Sequence, residues 1–251
     1  MRLLKSKYST ETIYSNEEIS KDVYRMVVEG DYDLNPGQFY MMRAWKVEPY
    51  LSRPISVHAV GENGIEFLYQ VFGHGTEIFS KMKKGDKIDL LGPLGNGFDI
   101  DEIDGKVAVV VGGIGIAPMY EVMKKLKEKD SSIKIDFYAG FRDSVYSVDY
   151  MKEYADEVFI STEDGSTGYK GYVVDLLDTS KYDYILSCGP TPMMKVVQEM
   201  AKKTDTKAYF SLEEHMACGI GACLGCTCNT VRGKERICKE GPVFLGEDVT
   251  L

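Results

Sequence analysis

Val107-Ala108-Val109-Val110-Val111-Gly112-Gly113-Ile114-Gly115-Ile116-Ala117-Pro118 is an unbroken apolar run that ends in a glycine-rich turn. A strand with one wet face would alternate, so this run reads as a parallel strand buried on both faces. The chain continues as a helix over 119–129, with Met119, Val122, Met123 and Leu126 on one face. In a strand, glycine turn and helix of this kind, backbone N–H groups and the helix N-terminus face a pyrophosphate. Gly113 and Gly115 are the candidate dinucleotide-binding residues, and Pro118 suits the first turn of the helix. Proline replaces the third glycine of G-x-G-x-x-G, and a plain βα turn is the alternative. Spacing fixes no acidic ribose ligand, so NAD and NADP both remain open.

Outward from this stretch the pattern keeps alternating. Strands are expected over 133–139, 157–161, 184–187 and 207–211, and helices over 146–154, 173–177 and 193–202. Residues 101–210 thus read as a doubly wound parallel sheet covered by helices. Residues 1–100 differ: short strands over 23–28, 38–42, 55–60, 65–71 and 87–91, with one brief helix over 76–82. Gly61-Glu62-Asn63-Gly64 is a strong hairpin signal. An antiparallel β-barrel is expected there. Residues 211–251 show no obvious regular structure, and the fold class is β plus α/β with a small C-terminal segment.

That segment holds most of the thiols. Five of the 6 cysteines lie between Cys218 and Cys238, and Cys218, Cys223, Cys226 and Cys238 fit C-x4-C-x2-C-x11-C. The first three reproduce the spacing of plant-type [2Fe–2S] ligands. The surrounding glycines and alanines let the backbone turn its N–H groups toward sulfur. Zinc is the alternative, although zinc sites commonly pair two short knuckles across a longer gap. Cys228 is a fifth thiol that could replace Cys226. His215 reads as a surface residue, and nothing marks His58.

The 251 residues suffice for two domains plus an appendage, and a hydrophobic content of 44% is ordinary for a globular protein. A net charge of −9 argues against nucleic acid and against an anionic membrane surface. The longest nearly uncharged apolar stretch, 107–120, is too short to span a bilayer. No secretory pattern opens the chain, and clustered thiols in a reducing compartment read as ligands, so a cytoplasmic protein is expected.

Two further segments suit phosphate. Arg53-Pro54-Ile55-Ser56 offers a bidentate guanidinium and a hydroxyl, and Gly73-His74-Gly75-Thr76 offers helix N–H groups, unless Thr76 merely caps its helix. Cys188-Gly189-Pro190 ends a sheet strand, where ligands of doubly wound folds lie; Cys188 is a possible nicotinamide contact or a small buried residue.

Barrel then dinucleotide fold, with Arg53-Pro54-Ile55-Ser56 in one and Gly112-Gly113-Ile114-Gly115-Ile116-Ala117-Pro118 in the other, resembles the ferredoxin–NADP reductase superfamily. Three further stretches narrow the resemblance: Leu91-Gly92-Pro93-Leu94-Gly95-Asn96-Gly97-Phe98, Ser187-Cys188-Gly189-Pro190-Thr191-Pro192-Met193, and Ser211-Leu212-Glu213-Glu214 ahead of Cys218-Gly219-Ile220-Gly221-Ala222-Cys223. Over essentially its whole length the chain is similar to the electron-transfer subunits of type B dihydroorotate dehydrogenases. The cysteine block followed by Ile237-Cys238-Lys239-Glu240-Gly241-Pro242-Val243-Phe244 is the most specific part.

The resemblance implies FAD at Arg53, Pro54, Ile55 and Ser56, at Leu68, Tyr69 and Gln70, and at Gly75 and Thr76. Gln70 stands where an arginine is often found. It implies a [2Fe–2S] cluster on Cys218, Cys223, Cys226 and Cys238, with a last gap of eleven residues that is short for the family. A shortened loop between Thr230 and Ile237 accounts for that gap. It further implies an FMN-containing catalytic subunit as partner, in a heterotetramer of two of each chain. That partner oxidises dihydroorotate, electrons cross to the cluster and then to FAD, and NAD+ receives a hydride. No general acid or base is expected. The rivals are a reductase subunit serving a hydrogenase or a ferredoxin-dependent transhydrogenase, and a dinucleotide sensor whose tail is held by zinc.

Overall fold

The computed structural model describes residues 6–251. Strands β1 (Lys7–Ser20), β2 (Val23–Val28), β3 (Phe39–Arg43), β4 (Arg53–Gly61), β5 (Gly64–Gln70) and β6 (Lys87–Leu94) close into a barrel in the order β1-β2-β5-β4-β3-β6. Every neighbouring pair is antiparallel. Glu62 and Asn63 form the two-residue loop expected between β4 and β5, since Gly61 pairs with Gly64. The first strand carries no strong apolar signal: of its 14 residues Ile13 alone is fully buried. Its place is set by backbone pairing to β2 on one side and β6 on the other, which closes the barrel. Inside lie Phe67, Tyr69, Phe79, Met26, Met42 and Leu90. Helix α1 (His74–Ser80) starts two residues earlier than expected.

Strands β7 (Lys106–Gly112), β8 (Lys134–Phe141), β9 (Glu157–Thr162), β10 (Tyr169–Lys170), β11 (Tyr184–Cys188) and β12 (Lys207–Ser211) form a parallel sheet in the order β10-β9-β8-β7-β11-β12. The apolar run on β7 is consumed on both faces. Val107, Val109 and Val111 pack in one core with Val122, Met123 and Leu126 of helix α2 (Met119–Lys129). Ala108 and Val110 pack in the other, with Met194 and Val197. All five are fully buried, and each valine contributes roughly 1.5–3 kcal/mol relative to exposure.

Two expected helices contract. Residues 146–154 contain a single turn, α3 (Val148–Met151), whose buried anchors are Val148 and Met151. Residues 173–177 form one 3₁₀ turn, Val173–Leu176. Neither segment is long enough to repay helix nucleation. Helix α4 (Thr191–Thr204) follows β11 and runs longer than expected.

The cysteine-bearing segment is more regular than its sequence suggests. It forms a hairpin of β13 (Thr227–Thr230) and β14 (Gly233–Arg236), and β15 (Val243–Leu245) adds to β12 as an antiparallel edge. It also locks to the barrel. The Asn96 amide donates to the Gly241 carbonyl at 2.7 Å, and the Asn96 side chain donates to the Glu240 carbonyl at 2.9 Å. Gln198 on α4 donates to the carbonyls of Gly246 and Val249. The segment is therefore wedged across barrel and sheet.

Barrel and sheet meet at His58 and α2. His58 is 3% exposed, and burial pulls its ring pKa down to about 4, against the hydrogen bond from its ring to Ala117. The unfolded chain accepts a proton near pH 6.5, whereas the folded chain does not. Stability is therefore full above pH 6.5 and falls as the pH drops toward 4, by about 3 kcal/mol from this group. Denaturant unfolding on either side of that window should show this slope in the native chain and its loss in His58→Gln. An unchanged slope in the variant would contradict it.

Candidate functional site

The order of the sheet reverses between β7 and β11, the position at which doubly wound folds bind ligands. A cavity of about 550 Å³ opens there. Gly112–Gly115 from the end of β7 and Gly189–Thr191 from the end of β11 line it. Gly113 is left-handed at φ +53°, and a methyl on Gly115 would overlap the Cys188 carbonyl. The turn thus reaches the cavity only because it carries no side chain at Gly115. Cys188 does not line the cavity: it is 1% exposed, and burial pushes its thiol well above the usual range. Gly115→Ala should displace the turn, destabilise the chain by about 1–3 kcal/mol and weaken NADH binding at least ~10-fold. Fluorescence titration with NADH checks this, and native affinity would contradict it.

A second cavity, of about 540 Å³, lies against the barrel. Arg53, Pro54, Ile55 and Ser56 from β4, Leu68, Tyr69 and Gln70 from β5, and Thr76 all line it. Arg53 donates to the Leu51 carbonyl and sits over the Trp45 ring at 5.5 Å. Among the described residues it has no ion pair, and burial lowers its pKa. Such an unpaired cation at a cavity wall suits an anionic ligand. Gly75 leaves it room, because a Cβ there would strike its guanidinium and Trp45. Thr76 spends its hydroxyl on the loop itself, accepting from the Phe72 and Gly73 amides and donating to the Gly73 carbonyl. Its side chain therefore acts as a cap, and the first-turn amides of α1 are what remains for a phosphate. Tyr69 turns its ring into the barrel, with its hydroxyl on Asn16.

The two cavities share a wall made by Gln70, Ile114, Leu212, Glu213 and Glu214. The last three follow β12. Sequence reading gave them no role, although they lie at the same carboxyl edge of the sheet as the glycine turn. Glu213 is exposed at the cavity, and the protein packed around its carboxyl raises its pKa. Met216 and Pro242, which flank the cysteines, also line the barrel-side cavity.

Beyond them the cysteine loop winds through left-handed residues: Gly219 at φ +70°, Gly221 at +80° and Leu224 at +59°. This turns amides onto sulfur. Gly221 donates to Cys238 Sγ at 3.1 Å, Cys223 to Cys218 Sγ at 3.4 Å and Gly225 to Cys223 Sγ at 3.5 Å. Burial alone would raise the Cys218 thiol, but the amides of Cys223, Ile220 and Ala222 and the Cys223 thiol together bring it down to about 6. Burial and the neighbouring Cys226 thiol push Cys238 up to about 12.

The thiols approach in pairs, Cys218 with Cys223 and Cys226 with Cys238. Among the described residues no three His, Cys, Asp or Glu side chains converge as a single ion would require. Four thiols, three of which accept a backbone amide, are the residues that would hold an iron–sulfur cluster. Cys228 lines the sheet-side cavity instead. Cys226→Ala should abolish the visible absorbance of a cluster, whereas Cys228→Ala should retain it. A cluster surviving Cys226→Ala would reassign the ligand.

Residues 213–250 match the iron-sulfur cluster binding domain of dihydroorotate dehydrogenase B, and residues 109–199 match an oxidoreductase NAD-binding domain. The chain is 50% identical to the electron transfer subunit of dihydroorotate dehydrogenase B (NAD(+)) from Clostridium acetobutylicum, over 99% of each chain. This chain belongs to the dihydroorotate dehydrogenase B electron transfer subunit family. The family's Clostridium perfringens member is 49% identical, over 97% of this chain and 98% of that protein. Among solved structures, a chain of an NADH-dependent reduced ferredoxin-NADP oxidoreductase superposes with a TM-score of 0.85 at 33% identity, covering 96% of this chain and 89% of that one. A ferredoxin NADP+ reductase from Neisseria gonorrhoeae, solved with FAD and NADP, shares the fold at 15% identity and a TM-score of 0.63, covering 80% of this chain and 92% of that one.

Proposed function

We propose that this chain is the electron-transfer subunit of a dihydroorotate dehydrogenase B. It joins an FMN-containing catalytic subunit and carries the electrons of dihydroorotate oxidation to NAD+ in pyrimidine biosynthesis. The overall change converts dihydroorotate and NAD+ to orotate, NADH and a proton. One observation carries the reading. The barrel-side cavity shares a wall with the dinucleotide cavity and is also lined by Met216 and Pro242, which flank the cysteines. Three redox groups held there would lie next to one another.

When bound, the iron–sulfur cluster exchanges single electrons, and FAD exchanges these with the hydride pair of the nicotinamide. The chain's own residues bind and orient. Arg53, Ser56 and the backbone of Leu68, Tyr69 and Gln70 hold FAD, with Gly75 and the amides of α1 on its phosphates. The Gly113–Ile116 turn and Gly189–Thr191 hold the NAD pyrophosphate. Cys218, Cys223, Cys226 and Cys238 hold the cluster, and the amides of Gly221, Cys223 and Gly225 stabilise negative charge on sulfur, which favours the reduced state. None of these roles needs a general acid or base.

The cysteine loop is also the exit toward the partner. Cys223 is exposed and Cys218 half-exposed, while Cys226 and Cys238 are buried. A complex of two copies of each chain and a cytoplasmic location complete the reading. Among the described residues no helix is long and apolar enough to cross a membrane.

Mixing the cofactor-loaded chain with an FMN-loaded catalytic subunit should give NADH formation that depends on dihydroorotate and on both chains. A chain that NADH reduces but that no such subunit can feed would contradict the assignment. That outcome would favour a reductase for another partner, a reading supported by the likeness to the ferredoxin-NADP oxidoreductase chain.

A further inference from the structure

The strand that carries Arg53–Ser56 is not regular. Its register with β5 shifts between Val57 and Ala59, so His58 occupies a bulge. Bulges re-aim side chains and recur beside active sites. Val57 on one side of the bulge points into the barrel core. His58 points across to the sheet domain, where its Nδ1 lies 2.8 Å from the Ala117 carbonyl. A carbonyl only accepts, so Nδ1 carries the proton and the ring is the donor. The ring also lies tilted against Tyr120, with centroids 5.2 Å apart.

Ala117 is the end of the dinucleotide turn. Its amide donates to the Ile114 carbonyl at 2.9 Å, which makes 114–117 one unit. Ile114 lies in the wall shared by the two cavities, and Ala117 lines the barrel-side cavity. Two more bonds tie the same strand to α2. The Val60 amide donates to Glu121 Oε2 at 3.1 Å, and Lys124 Nζ donates to the Val60 carbonyl at 3.1 Å. These lie further along the strand, whereas the histidine bond is the one that grips the turn itself.

We infer that His58 is a positioning residue for hydride exchange: it pins the dinucleotide turn to the flavin strand and so fixes nicotinamide against flavin. This rests on the cofactor placement proposed above. Hydride transfer is steeply sensitive to distance, and a displacement of about 1 Å costs on the order of 10²-fold in rate. A bulge that delivers one donor to the turn, two residues beyond Ser56, supplies that registration. An apolar side chain would fill the same space without fixing the carbonyl.

The test compares His58→Leu with His58→Gln in the full chain, since glutamine keeps an N–H donor. With FAD bound, three quantities are read: flavin content, the limiting rate of flavin reduction at saturating NADH, and the long-wavelength charge-transfer absorbance between nicotinamide and flavin. In the flavin-free chain, amide hydrogen exchange at 113–117 is read. His58→Leu should keep its flavin, lose about 10-fold or more in limiting rate, lose the charge-transfer band and exchange faster at Ala117. His58→Gln should recover most of each. A native rate and band in His58→Leu would overturn the inference, as would equal losses in both variants. Should His58→Leu fail to fold, His58→Asn, whose amide is too short to reach, takes its place with the same expectations. A native chain that binds no FAD, or whose flavin NADH does not reduce, would refute the cofactor placement instead.

Discussion

The glycine turn after β7 has to fit between a backbone carbonyl, a histidine ring and the wall of two cavities, and the functional geometry depends on that fit. Its floor is the Cys188 carbonyl, against which Gly115 packs with no room for a methyl. Its end is held by His58 from the barrel. Its outer side, through Ile114, is the wall that two cavities share. β7 can place the turn so closely because it is locked in its own position, buried on both faces by five small or branched apolar residues. Packing in the core thus fixes where the turn stands.

The cysteine segment solves a different problem. Four thiols near one another would repel as thiolates and cannot be packed like apolar side chains. The loop meets this with left-handed residues that aim amides at sulfur, and with anchors on both neighbours. β15 ties it to the sheet, and Gly241 and Glu240 tie it to Asn96 of the barrel. Arg236 and Glu240 pair beside the loop and hold the return of the chain toward Cys238. The cysteine segment is thereby anchored to both barrel and sheet.

Much of this was legible in the residue order. The apolar run of β7, the Asn63-Gly64 hairpin and the cysteine spacing each carry a local physical signal, and the first two hold in three dimensions. Other features carry their signal elsewhere. β1 is mostly polar, and its place comes from backbone pairing to two partners. β15 is three residues long, and only the free edge of β12 makes it a strand. Thr76 could bind a phosphate or cap a helix, and the choice depends on where the Phe72 and Gly73 amides fall. His58 looks like any strand residue, because neither the bulge nor the Ala117 carbonyl can be seen from its neighbours in sequence. The shared wall of Leu212, Glu213 and Glu214 exists only once the sheet has brought three strand ends together.

On the proposed placement, one chain holds dinucleotide, flavin and iron–sulfur sites in series. Anaerobic titration of the cofactor-loaded chain with NADH, followed by visible absorbance and electron paramagnetic resonance, tests this most directly. NADH should bleach the flavin, and a reduced-cluster signal should then grow in, without any partner protein. A flavin that bleaches while the iron stays silent, in protein shown to contain the cluster, would contradict it.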